Sequence, residues 1–201
     1  MSLAARPKIG IILLAAGSSS RMDHQPKQML EFRGQTFLRR AAETALESGF
    51  STVVVLGANH QILRKEIEDL PLEIAFNQNW PGGIGSSIKK GLSALAVENP
   101  DAVIVMLCDQ PLVTPEILRR LGDAFAAAKK PIAACAYENT VGVPALFAGE
   151  IFDELENLPD DRGAKKIITR DIDRVALVAA PEAAFDVDTR QDFEQLKRLN
   201  L

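Results

Sequence analysis

The segment KIGIILLAAGSSSRM, residues 8–22, joins a continuous apolar run to a loop of small and basic residues. The apolar part, Lys8–Leu14, is typical of a strand that is buried on both faces, as in parallel sheets covered by helices. In open sheets of this kind, ligands bind beyond the carboxyl ends of the strands. The segment therefore predicts the first strand of an α/β sheet, followed directly by a ligand-binding loop.

Similar apolar runs alternate with amphipathic stretches along most of the chain. Further strands are predicted at residues 52–56, 72–76, 102–107, 131–136 and 174–179. Helices are predicted at residues 36–46, 59–70 with Asn59 as the cap, 84–97, 115–128 with Thr114 as the cap, 150–158, 164–170 and from the cap Thr189 onwards. The alternation predicts a mostly parallel, twisted sheet with helices on both faces. It weakens after residue 136, where we expect an edge or antiparallel strand. No internal repeat or Gly/Ser linker divides the sequence, so residues 1–201 are expected to form a single domain.

The composition excludes several classes of protein. Of the 201 residues, 47% are hydrophobic and 25% are charged, and the formal net charge is −4. This balance is ordinary for a globular protein and unlike that of a protein that binds a nucleic-acid backbone. With nine Phe, one Trp and one Tyr, we do not expect an aromatic base-stacking platform. Two Cys and two His residues exclude a disulfide framework and a multi-histidine metal site.

The first apolar run is also too short to span a membrane, and it has no secretory cleavage site. We therefore expect a cytoplasmic protein that binds neither a membrane nor nucleic acid.

The loop after the first predicted strand carries donors suited to an anion. Successive amides of the small residues that begin at Ala15 could form an anion-binding nest. Arg21 adds a forked guanidinium, and Lys27 adds a compact positive charge. Together they predict a polyphosphate-binding loop, and the alternative is a solvated surface loop. The spacing matches neither the dinucleotide-binding glycine pattern nor the P-loop.

A second Gly- and Ser-rich turn, PGGIGSS at residues 81–87, opens the helix predicted from residue 84. Gly82, Gly85, Ser86 and Ser87 could contact an anion or the polar edge of a ligand at this helix N-terminus. The alternative interpretation is a simple turn and cap.

Acidic residues follow two later apolar segments. Asp109 comes just after the strand predicted at 102–107, where a carboxylate is a natural Mg²⁺ ligand, because Mg²⁺ combines few protein oxygens with substrate phosphates. Asp186 or Asp188, in a short strand read from FDVDT, could provide a second ligand across the cleft. The alternatives are a turn cap for Asp109 and favourable charge at the last helix N-terminus for the later pair. Cys108 is interpreted as a buried apolar residue rather than a nucleophile.

Taken together, these blocks resemble the MobA-like nucleotidyltransferases. LLAAGSSSRM and PKQML correspond to the family's opening motif, L-A-A-G-x-S-x-R-M-G-x-x-K. The blocks GGIGSSIKKGL, MLCDQPLVT, GVPALF, DDRGAKKII and FDVDTRQDF follow in family order. The resemblance thus spans Ile11 to Phe193. Within the family, LAAG, DQP, G-x-P-x-L-F and D-x-D-T are most similar to the molybdenum cofactor cytidylyltransferase branch, MocA.

The resemblance implies a Rossmann-like nucleotidyltransferase fold and a Mg²⁺-dependent reaction. In that reaction, CTP and the molybdopterin-molybdenum cofactor give the cytosine dinucleotide form and pyrophosphate. The implied partners are CTP or another NTP, a molybdopterin-type cofactor, and a molybdoenzyme or its chaperone.

The resemblance also implies roles for individual residues. Lys27, Arg21 and Asp109 are the expected catalytic residues, and Asp109 and Asp188 are the expected metal ligands. The nucleotide-binding residues implied are Leu14, Ala15, Ala16, Gly17, Ser18, Arg21, Lys27, Gly82, Gly85, Ser86, Ser87 and Asp109.

Three features depart from the family pattern. Asp23 stands where the family has Gly, and the spacing from Met22 to Lys27 is one residue longer. Val143 replaces a His near the second substrate, and Ile84 replaces a Met in the Gly/Ser turn. The missing His bears on the identity of the acceptor substrate. Two alternatives to the implied function stay open: an NTP transferase that acts on a sugar or another phosphate, and a non-catalytic pterin carrier. A carrier would have no need of a metal carboxylate facing a polyphosphate loop.

Overall fold

The computed structural model describes residues 7–18 and 26–199 of the chain. Its strands are β1 (Ile9–Ala15), β2 (Glu31–Phe32), β3 (Gln35–Thr36), β4 (Ser51–Leu56), β5 (Glu73–Phe76), β6 (Ala102–Leu107), β7 (Ile132–Tyr137), β8 (Thr140–Ala148) and β9 (Val175–Ala179). Seven of them form one sheet in the order β5-β4-β1-β6-β8-β7-β9, while β2 and β3 pair as a separate hairpin.

The helices are α1 (Phe37–Glu47), α2 (His60–Lys65), α3 (Ile84–Leu95), α4 (Pro115–Ala128), α5 (Phe152–Glu156), α6 (Lys165–Arg170) and α7 (Arg190–Arg198). The mostly parallel sheet with helices on both faces that the sequence predicts is therefore confirmed. Among the described residues, no helix is long and apolar enough to span a membrane.

The side chains of β1 alternate between two apolar cores. Ile11 and Leu13 pack in the core that also contains side chains of α1, α2 and α4. Ile12 and Leu14 pack in the opposite core, with side chains of α3, α5 and α6. Because successive residues of a strand point to opposite faces, the unbroken apolar run serves both cores. This burial fixes β1 inside the sheet, between β4 and β6, and places the loop that follows it at the carboxyl edge.

The antiparallel strand expected after residue 136 is β8, but it does not lie at an edge. It pairs antiparallel with both β6 and β7, inside the sheet. It runs over nine residues, and its second half is the more strongly apolar part. As a result, the beginning of β8 lies at the same edge of the sheet as the carboxyl end of β6.

Three local predictions need correction. The Asn59 side chain makes no capping hydrogen bond, since the residue adopts a left-handed conformation with φ of 58°, and α2 ends at Lys65 rather than near residue 70. The segment that contains Asp186 is not a strand. The hairpin of β2 and β3 was not predicted, because its strands are two residues each and too short to show periodicity.

The helix caps at Thr114 and Thr189 are present as expected. The Thr114 side chain accepts a hydrogen bond from the Ile117 amide. Thr189 forms a reciprocal capping box with Asp192 at the start of α7, an arrangement that satisfies two exposed helix donors at once.

Candidate active site

The loop that leaves β1 is held by hydrogen bonds to its carbonyl oxygens. The Gln28 side-chain amide donates to the carbonyls of Ala15 and Gly17 at 3.2 and 2.8 Å. The Ala16 carbonyl accepts from the Ala58 amide at 3.0 Å. Gln28 is only 1% exposed, so the clamp is shielded from competing water. Sequence reasoning missed Gln28, although it is the residue after Lys27 in the quoted block PKQML.

Lys27 lies between the two carboxylates that the sequence proposes as metal ligands. Its ammonium group forms ion pairs with Asp109 and with Asp188, the latter at 3.0 Å. Burial by itself would lower the pKa of Lys27, but the two neighbouring carboxylates more than offset that effect and raise it well above the ordinary value. Lys27 is therefore a permanent cation that neutralises part of a paired negative charge.

Two distant parts of the chain are joined to bring these carboxylates together. Asp109 follows β6, and its backbone carbonyl accepts a hydrogen bond from the Val187 amide at 2.9 Å. Val187 is fully buried in a third apolar cluster, together with Phe37 and Leu196. This cluster docks the segment before α7 against the start of α1.

Asp188, rather than Asp186, is the acid that meets Lys27. Its backbone amide donates to the Asp192 carboxylate at 3.1 Å, so the capping box of α7 helps to fix its position. Partial burial and the nearby charges of Asp109 and Asp188 raise the pKa of Asp186 to about 6. The choice between the two acids could not be made from the residues alone, because strand alternation would place both side chains on the same face.

A cleft of about 350 Å³ opens beside this cluster at the carboxyl edge of the sheet. It is bounded by the loop after β1, the start of α3 and the end of β6. Several of the residues predicted to bind the nucleotide line it: Leu14, Ala15, Ala16, Gly17, Ser18, Lys27, Ser87 and Asp109. The structure thus brings most of the predicted site residues to one cavity.

Gly82, Gly85 and Ser86 do not line this cleft, although they are close to it. The Gly85 amide donates to the Asp160 carbonyl at 2.8 Å, and a Cβ on Gly82 would lie 3.2 Å from the Asp160 carboxylate. Both glycines therefore allow the loop around Asp160 to approach the start of α3. That these residues contact a nucleotide stays a prediction. Arg21, which was also predicted to bind the nucleotide, lies outside the described residues.

Ser86 and Ser87 are held by one buried amide. Asn77, which is 5% exposed, donates through its side chain to the hydroxyl oxygens of Ser86 and Ser87 at 2.9 and 3.0 Å. The Ser86 hydroxyl in turn contacts the carbonyls of Asn79 and Gly83. Ser86 thus fixes the turn before α3, whereas Ser87 also reaches the cleft. Asn77 was missed by sequence reasoning, although it directly follows a predicted strand.

The carboxylates fit the requirements of a magnesium ion. Asp109 is 8% exposed, and within the described part of the chain its Oδ1 atom is buried without a hydrogen-bond partner. A buried, unpartnered carboxylate oxygen is costly unless a ligand satisfies it. Residues 7–18 and 26–199 hold no group of three or more His, Cys, Asp or Glu that could bind a metal. A site of two carboxylates completed by substrate phosphates is, however, the type that Mg²⁺ commonly adopts.

Cys108 precedes Asp109 but is not suited to nucleophilic chemistry. Its side chain is 3% exposed, and burial raises the pKa of the thiol to about 12. Since the thiolate is the reactive form, the residue acts as a small apolar side chain, in agreement with the sequence interpretation.

Gln110 joins the end of β6, beside the cleft, to the opposite wall of the site. It is 4% exposed, and its side-chain amide donates to the carbonyls of Val143 and Ala183 at 3.1 and 2.9 Å. Val143 lies near the beginning of β8, where the family pattern has His. The residue after Asp109 therefore supports the wall on which the sequence predicts the second substrate. Its only sequence signal was its place in the block DQP.

Replacing Gln110 by methionine is expected to lower the free energy of unfolding by about 2 kcal/mol, since the Val143 and Ala183 carbonyls would lose a buried donor. Urea unfolding followed by circular dichroism would measure the change. Gln78→Met, at an exposed position, is the matched control and should leave the midpoint nearly unchanged. Equal midpoints for the two variants would contradict this structural role.

Known proteins resemble this chain in sequence and in fold. A model of the MobA-like NTP transferase domain matches residues 11–175. Nicotine blue oxidoreductase of Paenarthrobacter nicotinovorans is 38% identical over 116 residues, which cover 57% of this chain and 56% of that protein. The chain thus spans little more than half the length of this relative.

Solved structures share the fold over nearly the whole chain. Rv0371c from Mycobacterium tuberculosis is 29% identical with a TM-score of 0.83, and the match covers 96% of this chain and 98% of that one. Molybdopterin-guanine dinucleotide biosynthesis protein A from Archaeoglobus fulgidus has a TM-score of 0.67 at 20% identity, covering 94% of this chain and 96% of that one. At 20% identity, this second likeness concerns the fold alone.

Proposed function

Because the chain belongs to the MobA-like NTP transferase domain family, we propose that it transfers CMP from CTP to a phosphorylated acceptor, the molybdopterin-molybdenum cofactor, and releases pyrophosphate. The observation that carries the proposal is the contact of Lys27 with Asp109 and Asp188 beside a cleft lined by the small residues of the first loop. With Mg²⁺ held by the two carboxylates, such a cluster would suit charge neutralisation around a polyphosphate.

The reaction needs little covalent chemistry from the protein. A terminal phosphate oxygen of the acceptor forms a bond to the α-phosphorus of the nucleotide. The bond from that phosphorus to the oxygen bridging to the β-phosphate breaks, and pyrophosphate leaves with the electron pair. Since the attacking phosphate is already ionised, no general base is required. The protein therefore acts by aligning the two substrates and by stabilising charge.

The residues of the site divide these tasks. Lys27, whose pKa is raised, holds a positive charge close to the departing pyrophosphate. The loop clamped by Gln28 keeps a fixed backbone next to the phosphates. Asp109 and Asp188 would hold Mg²⁺, which supplies positive charge to the phosphate oxygens when it is bound.

Two kinds of observation support the choice of substrates. The blocks LAAG and DQP resemble the cytidylyltransferase branch, which favours CTP. The acceptor is suggested by the same branch and by the fold shared with molybdopterin-guanine dinucleotide biosynthesis protein A. Partners of the next step would be a molybdoenzyme or its chaperone.

A redox reaction is the second candidate, because the relative with 38% identity is named as an oxidoreductase. Hydride transfer would give no obvious task to a lysine held between two carboxylates, so we favour phosphoryl chemistry. A reduction would be detected as consumption of a reduced nicotinamide, with no release of pyrophosphate.

The test is a thermal-shift panel of CTP, GTP, ATP and UTP, each with and without Mg²⁺. At a concentration of about one hundred times Kd, the bound nucleotide should add about 2.7 kcal/mol to the free energy of unfolding. For a domain of this size, that corresponds to a rise in Tm of roughly 5–10 °C. We expect the largest rise with CTP and Mg²⁺ together.

The selected nucleotide would then be assayed with the molybdenum cofactor for pyrophosphate release. Preference for another base would overturn the cytidylyl assignment. Release with a sugar phosphate, but not with the molybdenum cofactor, would overturn the acceptor.

A further inference from the structure

Trp80 is the only tryptophan of the chain, and it lines the same cleft as Lys27 and Asp109. It follows β5, so it lies on the β4 and β5 side of the first loop. The wall that Gln110 supports lies on the other side, next to β8. The order along this edge is therefore Trp80, the loop after β1, the acidic cluster and the acceptor wall.

The two ends of the cleft differ in polarity. Near Trp80 the lining includes Pro81 and Ile84, and Ile84 is 38% exposed. The other end carries Lys27 and Asp109. A nucleoside triphosphate has the same polarity, with a flat ring at one end and charged phosphates at the other. Placing its phosphates beside Lys27 directs its base towards Trp80.

The turn that carries Trp80 is braced before any ligand arrives. The Asn79 amide donates to the Asn77 side chain at 2.9 Å, and the Ser86 hydroxyl donates to the Asn79 and Gly83 carbonyls at 2.9 and 2.7 Å. The Gly83 amide also donates to the Trp80 carbonyl at 3.1 Å. An aromatic residue on a rigid turn loses little conformational freedom when a ligand binds.

Gly57, just after β4, makes room for the tryptophan. A Cβ at this position would lie 2.6 Å from the Trp80 Cβ and 2.6 Å from the Ala16 carbonyl oxygen. The stem of Trp80 thus rests directly against backbone that adjoins the phosphate-binding loop. This contact sets the position of the indole relative to the loop.

From this arrangement we propose that Trp80 is the stacking surface for the nucleobase of the triphosphate; the proposal rests on the function proposed above. The scarcity of aromatic residues led us to expect no stacking platform, but one ring is sufficient for a single base. Because every base offers a π-face, Trp80 contributes affinity for all nucleotides. Selection among the bases is then left to hydrogen-bonding groups elsewhere in the cleft.

The test compares Trp80→Leu with Trp80→Phe, two smaller apolar side chains of which only the second is aromatic. Binding of CTP with Mg²⁺ is measured by calorimetry, and inorganic tripolyphosphate with Mg²⁺ serves as the probe without a base. Trp80→Leu should weaken CTP binding roughly tenfold, in the range found for base stacking on aromatic residues, and Trp80→Phe should weaken it less. Tripolyphosphate should bind all three proteins equally.

The fluorescence of the single tryptophan gives an independent measurement in the wild-type protein. Its emission should change on addition of CTP, with the dissociation constant that calorimetry gives. Unchanged CTP affinity in Trp80→Leu would overturn the stacking role, and so would an equal loss for CTP and tripolyphosphate. Failure of the wild-type protein to bind any nucleotide would instead refute the proposed function itself.

Discussion

Replacement of Asp109 by asparagine is expected to lower turnover by about 10³-fold or more, which equals a barrier increase of about 4 kcal/mol. Asparagine has nearly the same shape but cannot carry the negative charge that holds Lys27 and would hold the metal. The residue lies on the cleft, and its Oδ1 atom is buried without a partner in residues 7–18 and 26–199. The loss should therefore appear in chemistry rather than in folding. Pyrophosphate release at saturating CTP would measure it.

Two controls distinguish a loss of turnover caused by the missing carboxylate from one caused by a less stable fold. Asp123→Asn removes a carboxylate at an exposed position of α4 and should leave turnover unchanged. The Tm of Asp109→Asn without nucleotide should stay close to the wild-type value, while the extra stabilisation by Mg²⁺ with CTP should shrink. Near-normal pyrophosphate release from Asp109→Asn would refute both the metal assignment and the mechanism.

Lys27→Met should lower kcat by roughly 10²–10³-fold at saturating nucleotide, comparable to the removal of one preorganised charge-stabilising group. Negative charge develops on pyrophosphate as it leaves, so the missing cation affects the transition state more than the bound substrate. The side chains of Lys27 and Asp109 are only 17% and 12% exposed. Solvent can therefore replace the lost charge only in part.

Lys27→Met should also raise the affinity of the site for Mg²⁺, although it lowers kcat. Without Lys27, Asp109 and Asp188 lose the cation that partly neutralises them, so Mg²⁺ should bind more tightly in the absence of nucleotide. Calorimetric titration with MgCl₂ would detect this gain, and Lys90→Met, at an exposed position of α3, is the matched control. An increase in KM with unchanged kcat would show that Lys27 only binds substrate.

The layered fold could be predicted because its information is local. The strands β1, β4 and β6 each place side chains in both apolar cores, so each is a continuous apolar run that is recognisable from a few consecutive residues. The cap at Thr114 was equally readable, since Thr-Pro-Glu combines three signals of a helix start. Asp109 and Lys27 could be proposed as site residues because each comes after a predicted strand of the sheet, and ligands bind beyond the carboxyl ends of such strands.

Other features depend on contacts between segments that are distant in sequence. The choice of Asp188 over Asp186 is fixed by the burial of Val187 and by the hydrogen bond between its amide and the Asp109 carbonyl. The roles of Gln28 and Gln110 rest on carbonyl acceptors supplied by other loops. Polar residues of this kind carry no periodic signal, and only the folded geometry reveals their partners.

The reversed direction of β8 separates the two sides of the site to which we assign the nucleotide and the acceptor in our proposal. The cleft that Trp80 and Lys27 line is built before residue 110, whereas the opposite wall is formed by β8 and the segments that follow it. Beside the paired strands of the sheet, the Val187 amide and the Gln110 side chain join the two sides at the active site. A lineage could therefore remodel β8 and its neighbouring segments to accept a new phosphorylated compound and, provided that Asp188 stays in contact with Lys27, keep its nucleotide machinery. Such modular divergence would allow one scaffold to serve several biosynthetic routes.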